Sequence, residues 1–292
     1  MPLQASPCEP LILDARELLR RYGLSAKKSW GQNFLIDERS YSAIVNSCKL
    51  SESDVVVEIG AGLGTLTSRL LATSATVIAV ERERDMCEVL RRELGSQPRF
   101  VLREENALHL DIAALARQHD RRLVLVGNLP YQISSPLIFQ FLAARSSLRR
   151  IVIMLQREMA DRLLATPGTR DANALGVQVQ MVCAVRRVCH VGRGAFLPPP
   201  RVDSSVVLLD PLPTTAVPLR DLEVFHHVVR AAFGQRRKTL KNALSAVFAD
   251  DAMASLDGCG VDLSRRGESL RLAEFAALSD ALTLHKERSA TV

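Results

Sequence analysis

The sequence predicts an α/β fold, with a parallel sheet covered by helices on both faces and an all-helical part at the C-terminal end. Three observations carry this. Short apolar runs alternate with amphipathic stretches from about residue 37 to residue 155, the pattern that builds parallel sheets from βαβ units. From Ala184 to Leu209 the pattern turns strand-rich. Beyond Pro211-Leu212-Pro213 only helical spacing remains.

Asp14 to Tyr22 is amphipathic, with Leu18 and Leu19 on one side. Asp37 is placed to cap a helix reaching about Cys48. Val55 to Ile59 reads as a first buried strand ending in glycines, and Leu66 to Ala72 as a helix. Thr76 to Glu81 is the second strand, Asp85 to Leu94 the next helix, and Phe100 to Leu102 the third strand. Leu123 to Val126 is the fourth strand, stopped by Gly127; a helix over Pro136 to Ala144 and a strand over Ile151 to Leu155 follow. Phe196 to Pro200 interrupts the strand-rich stretch. We expect an N-terminal arm over 1–26, a first domain over 27–211 and a helical domain over 212–292.

A chain of 292 residues is long enough for two such cores. Hydrophobic residues at 47% exclude a disordered chain. No run approaches the ~20 apolar residues of a membrane helix. No basic segment precedes an apolar one at the N-terminus, so no signal peptide is expected. The six cysteines form no CxxC pair, and Cys183, Cys189 and His190 match no common metal spacing. We expect a reduced, cytoplasmic protein without a metal. The formal charge is +6, and base clusters at Lys27-Lys28, Arg121-Arg122, Arg149-Arg150, Arg186-Arg187, Arg236 to Lys238 and Arg265-Arg266. Any one pair reads as solvated surface, while the set together tilts toward a nucleic-acid partner.

Four motifs carry chemistry. Glu58-Ile59-Gly60-Ala61-Gly62-Leu63-Gly64 ends the first strand. Gly60 and Gly62 allow a sharp turn close to a ligand, and the following helix presents its N–H groups there. Glu81 closes the second strand 21 residues after Gly60, where a carboxylate can accept both hydroxyls of a ribose. A glycine turn alone is common; with the strand-terminal acid it points to a nucleoside-type cofactor. The GxGxG spacing leans away from a nicotinamide dinucleotide and toward S-adenosylmethionine.

Asn128-Leu129-Pro130-Tyr131 follows the fourth strand and so faces the same cleft. The Asn128 carboxamide oxygen and a backbone carbonyl of Leu129-Pro130 can both accept from an exocyclic amine, freeing its lone pair for attack. Pro130 fixes the backbone, and Tyr131 offers a face for a flipped base. A plain turn is the competing explanation, and the position in the cleft argues against it. Phe196 to Ser204 contains three consecutive prolines and reads as a stiff loop; Phe196 could pack on the base opposite Tyr131. Arg236, Arg237, Lys238 and Lys241 are expected within one and a half helical turns. They suit either phosphate binding or a solvated helix face. The histidines lack partners at ligand or triad spacing, and Trp30 reads as a packing anchor.

Gln32-Asn33-Phe34-Leu35, the glycine turn, Asn128 to Tyr131, Phe196 to Ser204 and Gln235 to Lys241 occur here in one order. That set closely resembles the KsgA (RsmA) family of small-subunit rRNA adenine dimethyltransferases, from about Leu18 to past Asn242. The resemblance implies a Rossmann-like class I methyltransferase sheet with a small helical domain. It implies S-adenosylmethionine as donor and two adjacent adenines near the 3′ end of small-subunit (16S) rRNA as target, each gaining two methyls on N6 in late small-subunit assembly. By position, Asn33 and Leu35 would line the methionine side of the cofactor. Gly60 would run along its backbone, Glu81 would hold the ribose, and Asn128 would touch cofactor and target amine. Tyr131 and Phe196 would sandwich the base, and the stretch at Arg236 would meet rRNA phosphates, in a monomer free of membranes.

Three positions depart from the family pattern. Asn106 stands where Asp, an acceptor for the cofactor's adenine amine, is usual. Gln132 stands where Asn is usual. Asn173 to Gly176 replaces a segment usually richer in Arg and Ser. Two alternatives remain at this stage. One is a large-subunit rRNA methylase of the erythromycin-resistance type, which shares the Asn128 and Tyr131 motif. The other is a mainly non-catalytic assembly or nucleic-acid-binding factor.

Overall fold

The structure, a computed structural model, describes residues 11–26 and 32–290, with Tyr131 described by its backbone alone. Lys27-Lys28 and Trp30 lie outside the described residues. Two compact units emerge. The first runs to Ala160 and includes Arg186–Pro211; the second comprises Asp161–Val185 and the chain from Leu212 onward.

In the first unit, α1 (Ala15–Arg21) starts at Asp14, whose carboxylate accepts from Glu17 N at 2.9 Å. Leu13 and Leu18 join Val89, Leu90 and Leu94 in one buried cluster. Residues 11–26 are therefore packed into this unit and are no separate arm. A two-residue strand β1 (Phe34–Leu35) leads to α2 (Glu38–Cys48), capped by Asp37 on Ser40 N at 2.8 Å. Then come β2 (Val55–Ile59), α3 (Thr65–Leu71), β3 (Thr76–Glu81), α4 (Arg84–Leu94) and β4 (Phe100–Glu104). They are followed by α5 (Ile112–Gln118), β5 (Leu123–Asn128), α6 (Ser134–Ala143) and β6 (Leu148–Gln156).

Next are α7 (Arg157–Leu164), α8 (Ala174–Val182), β7 (Cys183–Val191), β8 (Phe196–Leu197) and β9 (Ser204–Pro211). Seven strands form one sheet in the order β4-β3-β2-β5-β6-β9-β7, and β1 pairs with β8 apart from it. The five strands from β4 to β6 are parallel, and β9 runs antiparallel to β6. The sheet is thus mixed, with a parallel core. The apolar period of β9 marked a strand but carried no information about its direction.

Gly127 does not stop β5, which continues to Asn128. Here β5 passes so close to β2 that a Cβ on residue 127 would sit 2.6 Å from the Ile59 carbonyl oxygen. Only glycine allows that approach. One carboxyl interrupts the apolar run of β2: Glu58 is 2% exposed and accepts from Thr67 Oγ1 at 2.6 Å. Burial pushes it up to about 8.

In the second unit the C-terminal stretch forms α9 (Leu222–Gly234), α10 (Leu240–Ser245), α11 (Asp250–Ala254) and α12 (Leu272–Ser289). Phe275 meets Phe225 edge-on at 6.4 Å and stacks on Phe233 at 6.0 Å. The segment 161–185 belongs here as well, since Leu212 N donates to Val182 O at 2.9 Å and Ala216 N to Met181 O at 2.7 Å. A single boundary near residue 212 becomes three, at 160/161, 185/186 and 211/212. Among the described residues no helix is long and apolar enough to cross a membrane.

Most of the basic clusters are structural. Arg121 donates to Ser53 O and Arg122 to Leu148 O. Arg149 pairs with Asp54 at 3.1 Å and Arg150 with Asp210 at 2.8 Å. Arg265 donates to Glu274 and to Ser269 O. These guanidinium groups close carbonyls at element ends.

Two outcomes follow from this packing. Gly127→Ala will lower thermal stability by ~1–3 kcal/mol, the usual cost of overpacking; an unchanged melting temperature would refute the close β2–β5 approach. For Glu58, the folded state holds a proton that the unfolded state releases above about 4.5. Its contribution to stability is therefore complete below that pH and is lost as pH rises toward about 8. Glu58→Gln will remove a slope of up to ~1.4 kcal/mol per pH unit in that window, read by denaturant unfolding at several pH values. An unaltered slope would assign the effect elsewhere.

Candidate active site

Parallel strands end at one edge of a sheet, so the loops after β2, β3, β4 and β5 converge there. They enclose a cavity of about 340 Å³. Its lining includes Asn33, Leu35, Gly60, Gly62, Glu81, Asn106, Asn128, Leu129 and Pro130.

The loop after β2 turns through left-handed backbone at Gly60, Gly62 and Gly64, with φ of 72°, 54° and 79°. Gly60 N donates to Val80 O at 2.9 Å, which ties the turn to β3. At the end of β3, Glu81 Oε2 accepts from Gly62 N at 2.9 Å. Its Oε1 accepts from Arg82 N at 2.7 Å and Glu83 N at 2.8 Å. A carboxylate offers about four lone-pair sites; the backbone takes three here, which orients the group and leaves one, on Oε2, for the ribose diol.

After β4, Asn106 Oδ1 accepts from Leu108 N at 3.1 Å, capping a short 3₁₀ turn over Ala107–His109. An Asp would cap that turn equally well. After β5, Asn128 Nδ2 donates to Asn33 O at 3.3 Å. A carbonyl only accepts, so the amide nitrogen must face Asn33, which leaves Oδ1 as an acceptor. Leu129 N donates to Met154 O at 3.2 Å, and Pro130 O accepts from Ile133 N at 3.1 Å. Tyr131 opens the 3₁₀ turn Tyr131–Ile133.

Phe196 is not part of this cavity. It is 1% exposed and packs in a core cluster with Leu35, Tyr41 and Val206. β8 pairs with β1 in the register Leu35↔Phe196 and Phe34↔Leu197, which turns the ring inward. In this packing the ring offers no open face to a base.

The basic stretch is also corrected. Residues 235–238 form a turn between α9 and α10 rather than a helix. Arg236 faces its own unit, donating to Arg170 O at 3.0 Å and Ala172 O at 3.4 Å and pairing with Glu268 at 3.3 Å. Arg236 is nevertheless exposed, as are Arg237, Lys238 and Lys241. Glu58, Thr65 and Glu83 are among the cavity residues to which the sequence assigned no role. Glu83, two residues past Glu81, is buried and accepts from the Gln32 side chain, which also lines the cavity. The acidic doublet in Glu81-Arg82-Glu83 was the available signal.

The residues suit an S-adenosylmethionine-type ligand. The volume falls in the usual ligand range, the oriented carboxylate suits a ribose, and the glycine turn keeps side chains out of the approach. A family model described as ribosomal RNA adenine dimethylase matches residues 23–284. Ribosomal RNA small subunit methyltransferase A of Anaeromyxobacter sp. (strain K) is 48% identical over 281 residues, covering 91% of this chain and 97% of that protein. The protein of the same name from Clostridium perfringens (strain SM101 / Type A) is 39% identical, covering 92% and 95%. Among solved structures, a dimethyladenosine transferase from Plasmodium falciparum matches with a TM-score of 0.74 at 27% identity, over 87% of this chain and 98% of that one. The 23S rRNA methyltransferase ErmE shares the fold, with a TM-score of 0.66 at 23% identity over 86% and 100%. On this sheet, this cavity and these matches, the chain belongs to the ribosomal RNA adenine dimethylase family.

Proposed function

We propose that this protein uses S-adenosylmethionine to dimethylate N6 of two adjacent adenines near the 3′ end of small-subunit (16S) rRNA, late in subunit assembly. The observation that carries this is Asn128. It stands in the same cavity as Gly60 and Glu81 with its amide nitrogen committed to Asn33, so its oxygen is left for an amine. Relatives at 39% and 48% identity bear a small-subunit name, which supports that target over the large subunit. We read it as acting as a monomer, in the cytoplasm where ribosomal subunits mature.

Bound in the cavity, S-adenosylmethionine supplies a methyl group on a positively charged sulfur. Glu81 holds the ribose hydroxyls, Asn106 accepts from the adenine amine, and Asn33 and Leu35 line the methionine side. Gly60 lets the backbone lie close, and Gly62 orients Glu81. Asn128 Oδ1 accepts one N–H of the target amine. The second acceptor is a backbone carbonyl of Leu129-Pro130, of which Pro130 O already accepts from Ile133 N. Both bonds draw the nitrogen toward a tetrahedral geometry and aim its lone pair. Tyr131 stacks the target base. No strong base is required, because the amine acidifies as it is methylated and releases its proton to water. Positioning of the two reactants can supply ~7–11 kcal/mol of the barrier. Arg237, Lys238 and Lys241 of the second unit meet rRNA phosphates.

Incubation with labelled S-adenosylmethionine and small subunits lacking the modification will place two methyls on each of two neighbouring adenines. Label confined to large-subunit rRNA, or particle binding without transfer, would overturn the assignment. Asn128→Ala will cut turnover by about 100-fold or more, as loss of a preorganised transition-state partner does, while S-adenosylhomocysteine still binds measurably; wild-type turnover would remove Asn128 from the mechanism. Asn106→Asp will tighten donor binding by restoring a charged acceptor, and calorimetry showing equal or weaker affinity would refute that role.

A further inference from the structure

The cavity has one wall that the seven-stranded sheet does not hold. β1 is two residues long and pairs only with the equally short β8. Yet Asn33, Phe34 and Leu35 all line the cavity, and Asn33 O is the group that orients Asn128. Something must fix this wall.

We propose that Tyr41 is a positioning residue for the methyl-donor site: its buried hydroxyl locks the Leu35 carbonyl, on one wall, to Thr65 at the start of α3, on the other. The inference rests on the reading of the cavity as that site. Tyr41 lies in α2 and is 2% exposed. Its phenol oxygen is 2.5 Å from Leu35 O and 2.7 Å from Thr65 Oγ1. The carbonyl can only accept, so the single phenol proton goes to Leu35, and the threonine hydroxyl donates to the phenol oxygen.

Leu35 and Thr65 line the cavity, whereas Tyr41 acts through them. Burial raises the phenol's proton affinity, so it stays a donor throughout the neutral range. The ring is held in turn: the Arg69 guanidinium lies 4.0 Å from its centroid and donates to Thr65 O at 2.6 Å and Leu13 O at 3.1 Å. Adjacent to the pinned carbonyl, Ile36 N donates to Ala195 O at 2.8 Å. One hydroxyl thereby sets the spacing between the glycine-turn helix and the strand that presents Asn33.

Tyr41→Phe in the full-length protein tests this, because it keeps the ring packing and the guanidinium contact and removes only the oxygen. S-adenosylhomocysteine affinity, measured by calorimetry, will fall roughly 2–12-fold, the worth of one hydrogen bond. Hydrogen exchange at the Ile36 amide will quicken, and the donor KM will rise more than kcat falls. Thr65→Val will weaken binding similarly, and the double variant will lose no more than the larger single effect, since both remove one link. Unchanged affinity in Tyr41→Phe, even with a lowered melting temperature, would overturn the proposal, as would additive losses in the double variant. Wild-type protein that fails to bind S-adenosylhomocysteine would instead overturn the donor-site reading, and this inference with it.

Discussion

The Glu81 carboxylate accepts backbone N–H groups from Gly62, Arg82 and Glu83 and so bridges the ends of β2 and β3. Hydrogen bonds to a charged group are the strong ones, ~1.5–3 kcal/mol each. That strength matters because the turn it grips has three residues in left-handed backbone and little conformational preference of its own. With Gly62 held, the turn has one shape, α3 starts at Thr65, and the helix presents its first turn to the cavity. The same grip fixes the carboxylate plane, so the group proposed to hold the ribose also builds the turn beside it.

The strands around this grip were legible because each is a short apolar run ended by a residue with a distinct chemistry. Val55 to Ile59 ends in glycine, Thr76 to Glu81 in an acid, and Leu123 to Asn128 in an amide. The segment 173–182 received no element from its sequence: Val177, Val179 and Met181 alternate with polar residues, yet Asn173 caps a helix there through Gly176 N at 2.9 Å. The segment 161–185 joins the helical unit through backbone hydrogen bonds that leave no sequence signal. Phe196 shows a different limit. Its place in a motif was readable, but the face it presents is set by its pairing with Leu35, a contact 161 residues away in sequence.

Charge was legible only in sum. The excess of base is real, yet Arg121, Arg122, Arg149, Arg150 and Arg265 spend their donors on carbonyls and acids at element ends. A guanidinium with five donors is suited to closing several carbonyls at once, and the sequence cannot distinguish that use from phosphate binding. Arg236 is the clearest case, because it sits inside the basic motif while bonding Arg170, Ala172 and Glu268. Like its neighbours Arg237 and Lys238 it is exposed. One side chain of this turn thus both holds the unit together and contributes to its surface charge.

The cavity combines walls of unequal stiffness. Gly60, Glu81, Asn106 and Asn128 stand at the ends of strands whose register the parallel core fixes. Asn33 to Leu35 stands on a two-residue strand, held by its pairing with β8, by Tyr41, and by the Asn128 side chain. The last of these bonds is 3.3 Å long, at the weak end for N–H···O. It nevertheless decides which atom of the carboxamide remains for a substrate amine. The acceptor group of the transfer step is therefore rigid in position, through β5, and adjustable in orientation, through β1. Because Asn33, Phe34 and Leu35 line the same cavity as Gly60 and Glu81, the segment that orients the Asn128 carboxamide is also a wall of that cavity.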